Sequence, residues 1–390
     1  MDERGLELEL GLKEKDRRWS LVRDKMRQEG LAAIVIYANT RSWVPLRYLA
    51  SIMPTGMSQQ GLLFPSDGEP IFVTGFPRIA FVAQKSSWVS AENVYYSNEW
   101  AADLAKHLAS LKLADKRVGI DSFATWPVRD FRIFQELCPD VQLVEASTWL
   151  SEIRGPKSDE ELKWMGEAIR IAELAQRTFL ANLTPGLKEE EVVGKVEDVV
   201  RANGVDQRLW LMASSAELAY PESPSMKIIR KPGPVAFSSE FVRTGGYAAQ
   251  AVRTYCWNIP TGEYKRMWEL CGELRRIVPQ VLRPGRSITE LGAKMEDLVD
   301  ESGFECDYLG HAIGLDFGEQ PYINSGPRRP VQRYMEWTVR CNEVYVVHPM
   351  IRCKGGTAPM AWVGDMYLVR EDRTEWMTPF LPGLPEIITG

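Results

Sequence analysis

A segment of about twenty residues occurs twice in this 390-residue chain, and this duplication constrains the fold more than any other feature. Pro185-Gly186 opens the first copy and Pro284-Gly285 opens the second, at an offset of 99 residues. The matched pairs that follow without gaps are Glu191/Glu290, Lys195/Lys294, Glu197/Glu296, Asp198/Asp297, Val200/Val299 and Gly204/Gly303. We therefore expect two similar halves related by a pseudo-twofold axis, carrying the repeats 184–205 and 283–304. A cleft between two such halves is a natural place for a ligand.

The N-terminal part of the chain predicts a smaller domain in which strands alternate with helices. The predicted elements are a helix over 16–29 closed by Gly30, a strand over 31–37, a hairpin of 61–64 with 70–73, a helix over 98–112, a strand over 117–121, a helix over 126–137 and a strand over 141–144. This alternation is typical of an α/β domain, and the fold class expected for the whole chain is α/β (α+β).

The boundary between the two predicted domains lies near residue 154. Gly155-Pro156 interrupts the chain, and Ser158 with Glu161 matches a capping box that starts a new helix running to about residue 181. We place the first domain at 1–153 and the second at 154–390.

Composition excludes several classes of function. The net charge is −6 and no block of Lys and Arg stands out, which argues against a nucleic-acid partner. The charged N-terminus lacks the apolar core of a signal peptide, and the apolar run over 31–38 is too short to span a bilayer. The six cysteines show no CxxC spacing and are typical of reduced thiols. We expect a cytoplasmic protein with a small-molecule substrate and without a membrane partner.

Two of the three histidines lie in stretches that predict a site in the second domain. His311 lies between glycines in the stretch 308–321, and His348 ends a predicted strand over 343–348. Histidine is the side chain best suited to proton transfer near neutral pH, so we expect both imidazoles to face one pocket. The alternative is that they are buried structural residues. A strand pair over 235–242 and 247–257 and a last strand over 360–369 complete the predicted elements.

Five motifs in order give the chain a resemblance to a known family. They are Lys157-Ser158 with Glu161; Gly246-Tyr247 with Arg253-Thr254; Gly310-His311 with Gly314, Glu319 and Pro321; His348-Pro349; and Gly364-Asp365. In this order the motifs resemble those of the creatinase and proline-aminopeptidase (M24) family. The resemblance implies a pita-bread catalytic domain preceded by a creatinase-type N-terminal domain, a hydrolase related to Xaa-Pro peptidases, and a homodimer. In such a dimer, the 39–43 loop of one chain would reach the partner's pocket.

The departures from the family pattern concern the metal. Metallopeptidases of this family hold two metal ions with two Asp, one His and two Glu. Carried over, these positions are Ser239, Gln250, His311, His348 and Gly364. Because hard divalent cations need anionic oxygen ligands, we expect no dinuclear centre and no cofactor. A shift of one residue would place Glu240 at the first position, and His311, His348 and Glu240 could then bind one metal ion.

The comparison with creatinase concerns the catalytic residues. The resemblance around 220–224 places Glu222 where creatinase carries a histidine. Val252 and His348 stand where creatinase has carboxylates, so creatine is not the expected substrate. We predict catalytic roles for four residues, namely His311, His348, Glu222 and Glu240. We predict substrate binding by five further residues, namely Gln250, Arg253, Glu319, Asp365 and Tyr247. For Arg253 the alternative is a buried ion pair with Glu319 or Asp365.

The predicted reaction is metal-independent hydrolysis of a C–N or amide-like bond by His/Glu acid–base catalysis. His311 would act as general base, and His348 would stabilise charge or donate a proton. The alternatives are a lyase or other proton-transfer enzyme using the same pocket, a non-catalytic pseudopeptidase and a mononuclear metal hydrolase. A metal-dependent aminopeptidase is disfavoured by the missing ligands.

Overall fold

The computed structural model describes residues 10–54, 59–121, 123–215, 220–243, 245–324, 336–355 and 357–388. Backbone contacts divide the chain into two compact units, Met1–Arg154 and Gly155–Gly390. This division lies one residue from the predicted boundary. Among the described residues, no helix has the length and apolar character needed to cross a membrane.

The first unit is built on a six-stranded mixed sheet. Its helices are α1 (Leu12–Glu29), α2 (Val44–Ala50), α3 (Pro77–Ser86), α4 (Trp100–Ser110), α5 (Val128–Leu137) and α6 (Ser147–Arg154). Its strands are β1 (Ala33–Ala38), β2 (Gln60–Pro65), β3 (Ile71–Thr74), β4 (Val94–Tyr96), β5 (Arg117–Asp121) and β6 (Gln142–Glu145), in the order β4-β3-β2-β1-β5-β6. Strand β1 is buried along its whole length, as its continuous apolar run predicts. Gly30 ends α1 in the left-handed conformation that the sequence predicts.

The second unit contains four long helices and three sheets in its described part. The helices are α7 (Asp159–Asn182), α8 (Glu189–Ala202), α9 (Gly262–Val281) and α10 (Ile288–Ser302). The strands are β7 (Val205–Ala213), β8 (Val235–Arg243), β9 (Ala248–Cys256), β10 (Glu305–Cys306), β11 (Gly310–Ala312), β12 (Glu319–Tyr322), β13 (Val344–Val347), β14 (Met350–Cys353), β15 (Thr357–Trp362), β16 (Asp365–Val369), β17 (Thr374–Trp376) and β18 (Glu386–Ile387). The sheet orders are β18-β9-β8-β7, β12-β11-β13-β16-β17 and β10-β14-β15. The alternation of a helix pair with sheets in each half is the pita-bread arrangement that the resemblance implies.

The two sequence repeats adopt the same local structure. In each copy, the glycine of the turn and the first residue of the following helix donate backbone hydrogen bonds to a segment later in the chain. These bonds run from Gly186 to Ile229, Gly285 to Val339, Glu189 to Lys227 and Ile288 to Trp337, with N···O distances of 2.9, 2.8, 3.0 and 3.0 Å. The donors are 99 residues apart and the acceptors are 110 apart, so equivalent positions make equivalent contacts. The predicted duplication is therefore present in the structure.

The last predicted strand, 360–369, is wrong as a single element. The structure divides it into β15 and β16, which belong to different sheets. Between them Gly364 exchanges two backbone hydrogen bonds of 3.1 Å with Val252 of β9. The apolar run continues through this crossing, so the sequence pattern does not reveal the break.

Helix α7 begins with the predicted capping box. Ser158 Oγ accepts a hydrogen bond from the Glu161 backbone N–H at 3.1 Å, and Glu161 Oε2 accepts one from the Ser158 N–H at 2.8 Å. We expect Ser158→Ala to lower the free energy of unfolding by about 1 kcal/mol, because one N–H of the first turn loses its acceptor. Urea denaturation measures the change, with Ser223→Ala in an exposed loop as control. Equal stability of the two variants would contradict the capping role.

Candidate active site

The β8–β9 hairpin places Glu240 and Gln250 on one face of its sheet. They are direct cross-strand partners, and both are buried. Neighbouring residues on a strand point to opposite faces, so Ser239 points away from them. Ser239 Oγ instead accepts a hydrogen bond from Gln176 Nε2 of α7 at 3.1 Å. Glu240, and not Ser239, therefore faces the same side of the sheet as Gln250.

His311 is held on the short strand β11. Gly310 has φ +148°, and a Cβ atom there would lie 2.2 Å from the carbonyl oxygen of Val346, so only glycine fits this approach. His311 Nδ1 lies 2.9 Å from the Ala312 carbonyl oxygen. Because a carbonyl only accepts, this contact assigns the proton to Nδ1 and leaves the lone pair of Nε2 available.

His348 follows strand β13, next to His311. The two rings are edge to face, with centroids 5.1 Å apart. The His348 backbone N–H donates to the Leu309 carbonyl at 3.0 Å, and its own carbonyl accepts from Trp362 Nε1 at 3.3 Å. Among the described residues, neither ring nitrogen of His348 has a hydrogen-bond partner, and the same is true of Gln250 Oε1. Both side chains are therefore positioned to bind a polar ligand.

These side chains line one cavity of about 460 Å³. Its polar walls are Glu240, Gln250, His311 and His348, and its aromatic walls are Tyr220, Tyr308, Phe317, Tyr322 and Trp362. Leu211, Pro221, Gly318 and Met350 complete the described lining. The volume is that of a small-molecule site, and the few polar groups are grouped together within mostly apolar walls.

Burial sets the charge state of both imidazoles. It lowers the pKa of His311 to about 4, and the Ala312 carbonyl and the Glu319 carboxylate oppose this only in part. Burial also lowers the pKa of His348 to about 3, and repulsion from the His311 ring adds to the effect. Both rings are therefore neutral at physiological pH. A neutral ring can donate one hydrogen bond and accept another.

Glu240 has the opposite shift. Burial raises the pKa of its carboxyl to about 7, although the Ser238 hydroxyl, which donates to Glu240 Oε1 at 2.7 Å, stabilises the ionised form. Near neutral pH both protonation states of Glu240 are populated. This is the condition under which a group transfers protons most effectively.

The neutral imidazoles predict a pH-dependent stability. A histidine with a depressed pKa stabilises the fold above its unfolded pKa of about 6.5, and this contribution is lost as the pH falls toward 4. Between pH 7 and pH 4.5, we expect the free energy of unfolding to fall by on the order of 2–3 kcal/mol more in wild type than in His311→Gln, because glutamine does not take up a proton. Chemical denaturation at the two pH values measures the difference. His107→Gln changes the partly buried third histidine, and its difference from wild type should depend on pH much less. An equal dependence in the two variants would contradict the depressed pKa of His311.

Arg253 does not line the cavity, contrary to the predicted role in substrate binding. Its side chain is completely buried and pairs with Asp365 at 2.9 Å. Its remaining hydrogen bonds go to the carbonyl groups of Val252, Gly364, Thr378 and Phe380. Asp365 also accepts from Arg275 Nε at 2.9 Å. The structure therefore contains the alternative, a structural ion pair between Arg253 and Asp365.

Glu319 and Tyr247 also lie outside the cavity lining. Glu319 accepts a hydrogen bond from the Leu315 backbone N–H at 3.0 Å and lies 3.6 Å from Lys157 Nζ, which fixes the loop after His311. The Tyr247 hydroxyl donates to Glu161 Oε1 at 2.9 Å. Both contacts support the fold around the site.

Glu222 was predicted to be catalytic, but its carboxylate is exposed and forms an ion pair with Lys227. Its neighbours Tyr220 and Pro221 line the cavity, while Glu222 does not. The cavity lining thus includes the segment that the motif indicates, but not the side chain of Glu222.

None of the aromatic residues that line the cavity is among the site residues predicted from the sequence. Tyr308 and Phe317 lie within the 308–321 stretch, and Trp362 lies within the predicted last strand. Their position beside the motifs was the available signal. High tryptophan and tyrosine counts do not distinguish these residues from core aromatics.

The donor set does not fit the dinuclear centre that the family resemblance implies. Glu240 is the one carboxylate among the five ligand positions, and Gln250 supplies a neutral amide. At the fifth position, a Cβ on Gly364 would lie 2.7 Å from Val252 Cγ2 and 2.8 Å from His348 Cβ, so no side chain fits without a shift. Within the described residues, no group of three or more His, Cys, Asp or Glu could hold a metal ion. His311, His348 and Glu240 do not form such a group in this structure.

Comparisons with known proteins agree with the fold. The chain is 23% identical over 308 residues to the uncharacterized peptidase YqhT of Bacillus subtilis, covering 78% of this chain and 83% of that protein. It is 21% identical over 390 residues to the creatinase of Bacillus sp. strain B-0618, covering 94% and 91%. The crystal structure of dipeptidase PepE from Mycobacterium ulcerans superposes with a TM-score of 0.79 at 20% identity, covering 97% of this chain and 98% of that chain.

Two family models cover both units. The Creatinase/Prolidase N-terminal domain matches residues 18–155, and Metallopeptidase family M24 matches residues 163–371. The second match alone spans more than half of the chain. The chain therefore belongs to metallopeptidase family M24, whose peptidases are hydrolases of C–N bonds.

Proposed function

We propose that this protein is a metal-independent hydrolase that cleaves a C–N or amide-like bond of a small molecule. The observation that carries the proposal is one cavity containing two neutral imidazoles and a carboxyl group with a pKa of about 7. The unfavourable donor set supports the metal-independent form of the reaction.

The roles follow from the charge states. Ionised Glu240 takes a proton from water as the water oxygen bonds to the substrate carbon. His348 donates its N–H to the oxygen that becomes negative, and His311 Nε2 accepts a hydrogen bond that orients the water or the substrate. Glu240 then returns the proton to the leaving nitrogen as the C–N bond breaks. This assignment revises the sequence-based one, because a pKa of about 4 makes His311 a weak base.

The size of the cavity indicates the size of the substrate. Its volume of about 460 Å³ accommodates a small molecule. We also propose a homodimer, as the family resemblance implies. Size-exclusion chromatography with light scattering measures the mass of the assembly, and a monomer at micromolar concentration would contradict this part of the proposal.

Turnover of small amides, ureas and related compounds tests the reaction. Enzyme purified with a strong chelator should release amine at the same rate as untreated enzyme. Reaction in ¹⁸O water should place one label in the carbonyl product, whereas elimination would leave the product unlabelled. Loss of activity on chelation, with recovery on adding Mn²⁺ or Zn²⁺, would contradict the proposal.

A further inference from the structure

The cavity walls combine aromatic rings with a single carboxyl group and no positively charged side chain among the described lining residues. We infer that the site takes a substrate carrying a methylated ammonium group, which binds against the aromatic walls with Glu240 as its counter-charge. The inference names a substrate class for the proposed function and rests on it.

The aromatic residues that line the cavity differ in how far they are exposed. Trp362 is 2% exposed and Tyr308 is 66% exposed. Tyr220 is 46% exposed, and its ring already stacks on the Arg352 guanidinium. Phe317 and Tyr322 also line the cavity and are partly buried. A cation over an aromatic face is attracted by the ring quadrupole. Sites that surround a cation with several aromatic rings are typical binding sites for methylated ammonium groups.

The positive charges near the cavity are already matched by carboxylates or aromatic rings. Arg352 binds Asp307 at 2.5 Å and stacks on Tyr220 at 4.3 Å from the ring centroid. Arg253 is paired with Asp365 inside the fold. These contacts leave Glu240 as the charged group of the described lining. A substrate carboxylate would find no cation there, whereas a substrate cation would find one carboxylate.

The hydrogen-bonding groups favour a methylated cation over a guanidinium group. A guanidinium carries five N–H donors and binds best to paired carboxylates. The described lining offers one carboxyl group, that of Glu240. Its other side-chain acceptors are neutral, namely Gln250 Oε1, one nitrogen on each imidazole and the tyrosine hydroxyls. A quaternary ammonium needs no acceptors, so these groups remain available for the water and for the bond that is cleaved.

Two probes of equal shape test the charge preference without turnover. Choline carries a trimethylammonium group, and 3,3-dimethylbutan-1-ol replaces its nitrogen with carbon. We expect calorimetry on the full-length protein at pH 8.5, where Glu240 is ionised, to give choline roughly tenfold higher affinity or more. Equal affinities, tighter binding of the neutral probe, or no binding of either probe at millimolar concentration would overturn the inference.

Variants locate the preference in the cavity. Glu240→Gln should reduce the affinity ratio of the two probes toward one, and Phe317→Leu should lower it in part. Phe81→Leu, at an exposed position of α3, should leave the ratio unchanged. A ratio that is unchanged in Glu240→Gln and Phe317→Leu would place choline elsewhere and overturn the inference. Hydrolysis of a neutral amide without a charge preference would support the proposed function and reject this substrate class.

Discussion

Glu240→Gln is expected to lower kcat by about 10²–10⁴-fold, because the amide cannot accept the proton of the attacking water. Glutamine retains the size of the side chain and can still interact with the Ser238 hydroxyl, so the fold around β8 should persist. Steady-state kinetics on any substrate found by amine release measures the effect. Glu269→Gln, an exposed residue paired with Lys265, is the matched control and should retain the wild-type rate.

The pH profile gives this prediction a second readout. Since the ionised carboxylate is the base, kcat/KM should rise with pH through about 7 and level off above it. The inflection should disappear in Glu240→Gln. A profile that keeps its inflection in the variant would assign the titration to another group.

Glu222→Gln tests whether Glu222 is catalytic, as the sequence motif predicts, or lies outside the site, as its exposed position indicates. Its carboxylate is exposed and paired with Lys227, so we expect a nearly unchanged rate. If Glu222→Gln reduced kcat as strongly as Glu240→Gln, Glu222 would move into the site in the active form of the enzyme.

Asp365→Ala is expected to lower the free energy of unfolding by about 3–5 kcal/mol. The carboxylate accepts hydrogen bonds from Arg253 and Arg275, and its removal leaves the completely buried Arg253 guanidinium without a counter-charge. Guanidinium chloride denaturation measures the loss. Asp372→Ala removes the exposed partner of Arg373 and should change stability by less than about 0.5 kcal/mol.

A double variant distinguishes the ion pair from packing. Replacing both partners, as Arg253→Met with Asp365→Leu, should recover part of the stability lost in Asp365→Ala, because the completely buried guanidinium is removed together with its counter-charge. The part that is not recovered includes the contact of Asp365 with Arg275, whose side chain is 14% exposed. A loss below 1 kcal/mol in the single variant would show that solvent reaches Arg253. It would also return Arg253 to consideration as a substrate ligand.

Local patterns predicted the fold well. The repeat, the Ser158 capping box and the Gly30 helix end each depend on neighbouring residues, and the structure contains all three. The break at Gly364 was missed, because it depends on a contact with Val252 more than a hundred residues away. Sequence distance hides such a contact.

The candidate site could be predicted only in part. The motifs identified His311, His348, Glu240 and Gln250, which share one cavity. Residue counting could not decide between Ser239 and Glu240, because the choice depends on the pairing register of β8 with β9.

The roles of Arg253 and of the aromatic residues were harder to predict from the sequence. Arg253 has the character of an anion ligand in the sequence, and only the positions of Asp365 and four carbonyl groups reveal its structural role. The aromatic walls come from separate segments, so no local pattern marks them as a set.

The close packing around Gly364 limits how this site can change during evolution. A carboxylate at position 364 would collide with Val252 and His348, so both neighbours would have to become smaller or move at the same time. Gln250 would need a separate change to aspartate or glutamate. No single substitution rebuilds a two-metal centre from this background. Selection on single mutations can therefore refine the proton chemistry of Glu240 and its imidazoles far more readily than it can return the chain to a metalloenzyme.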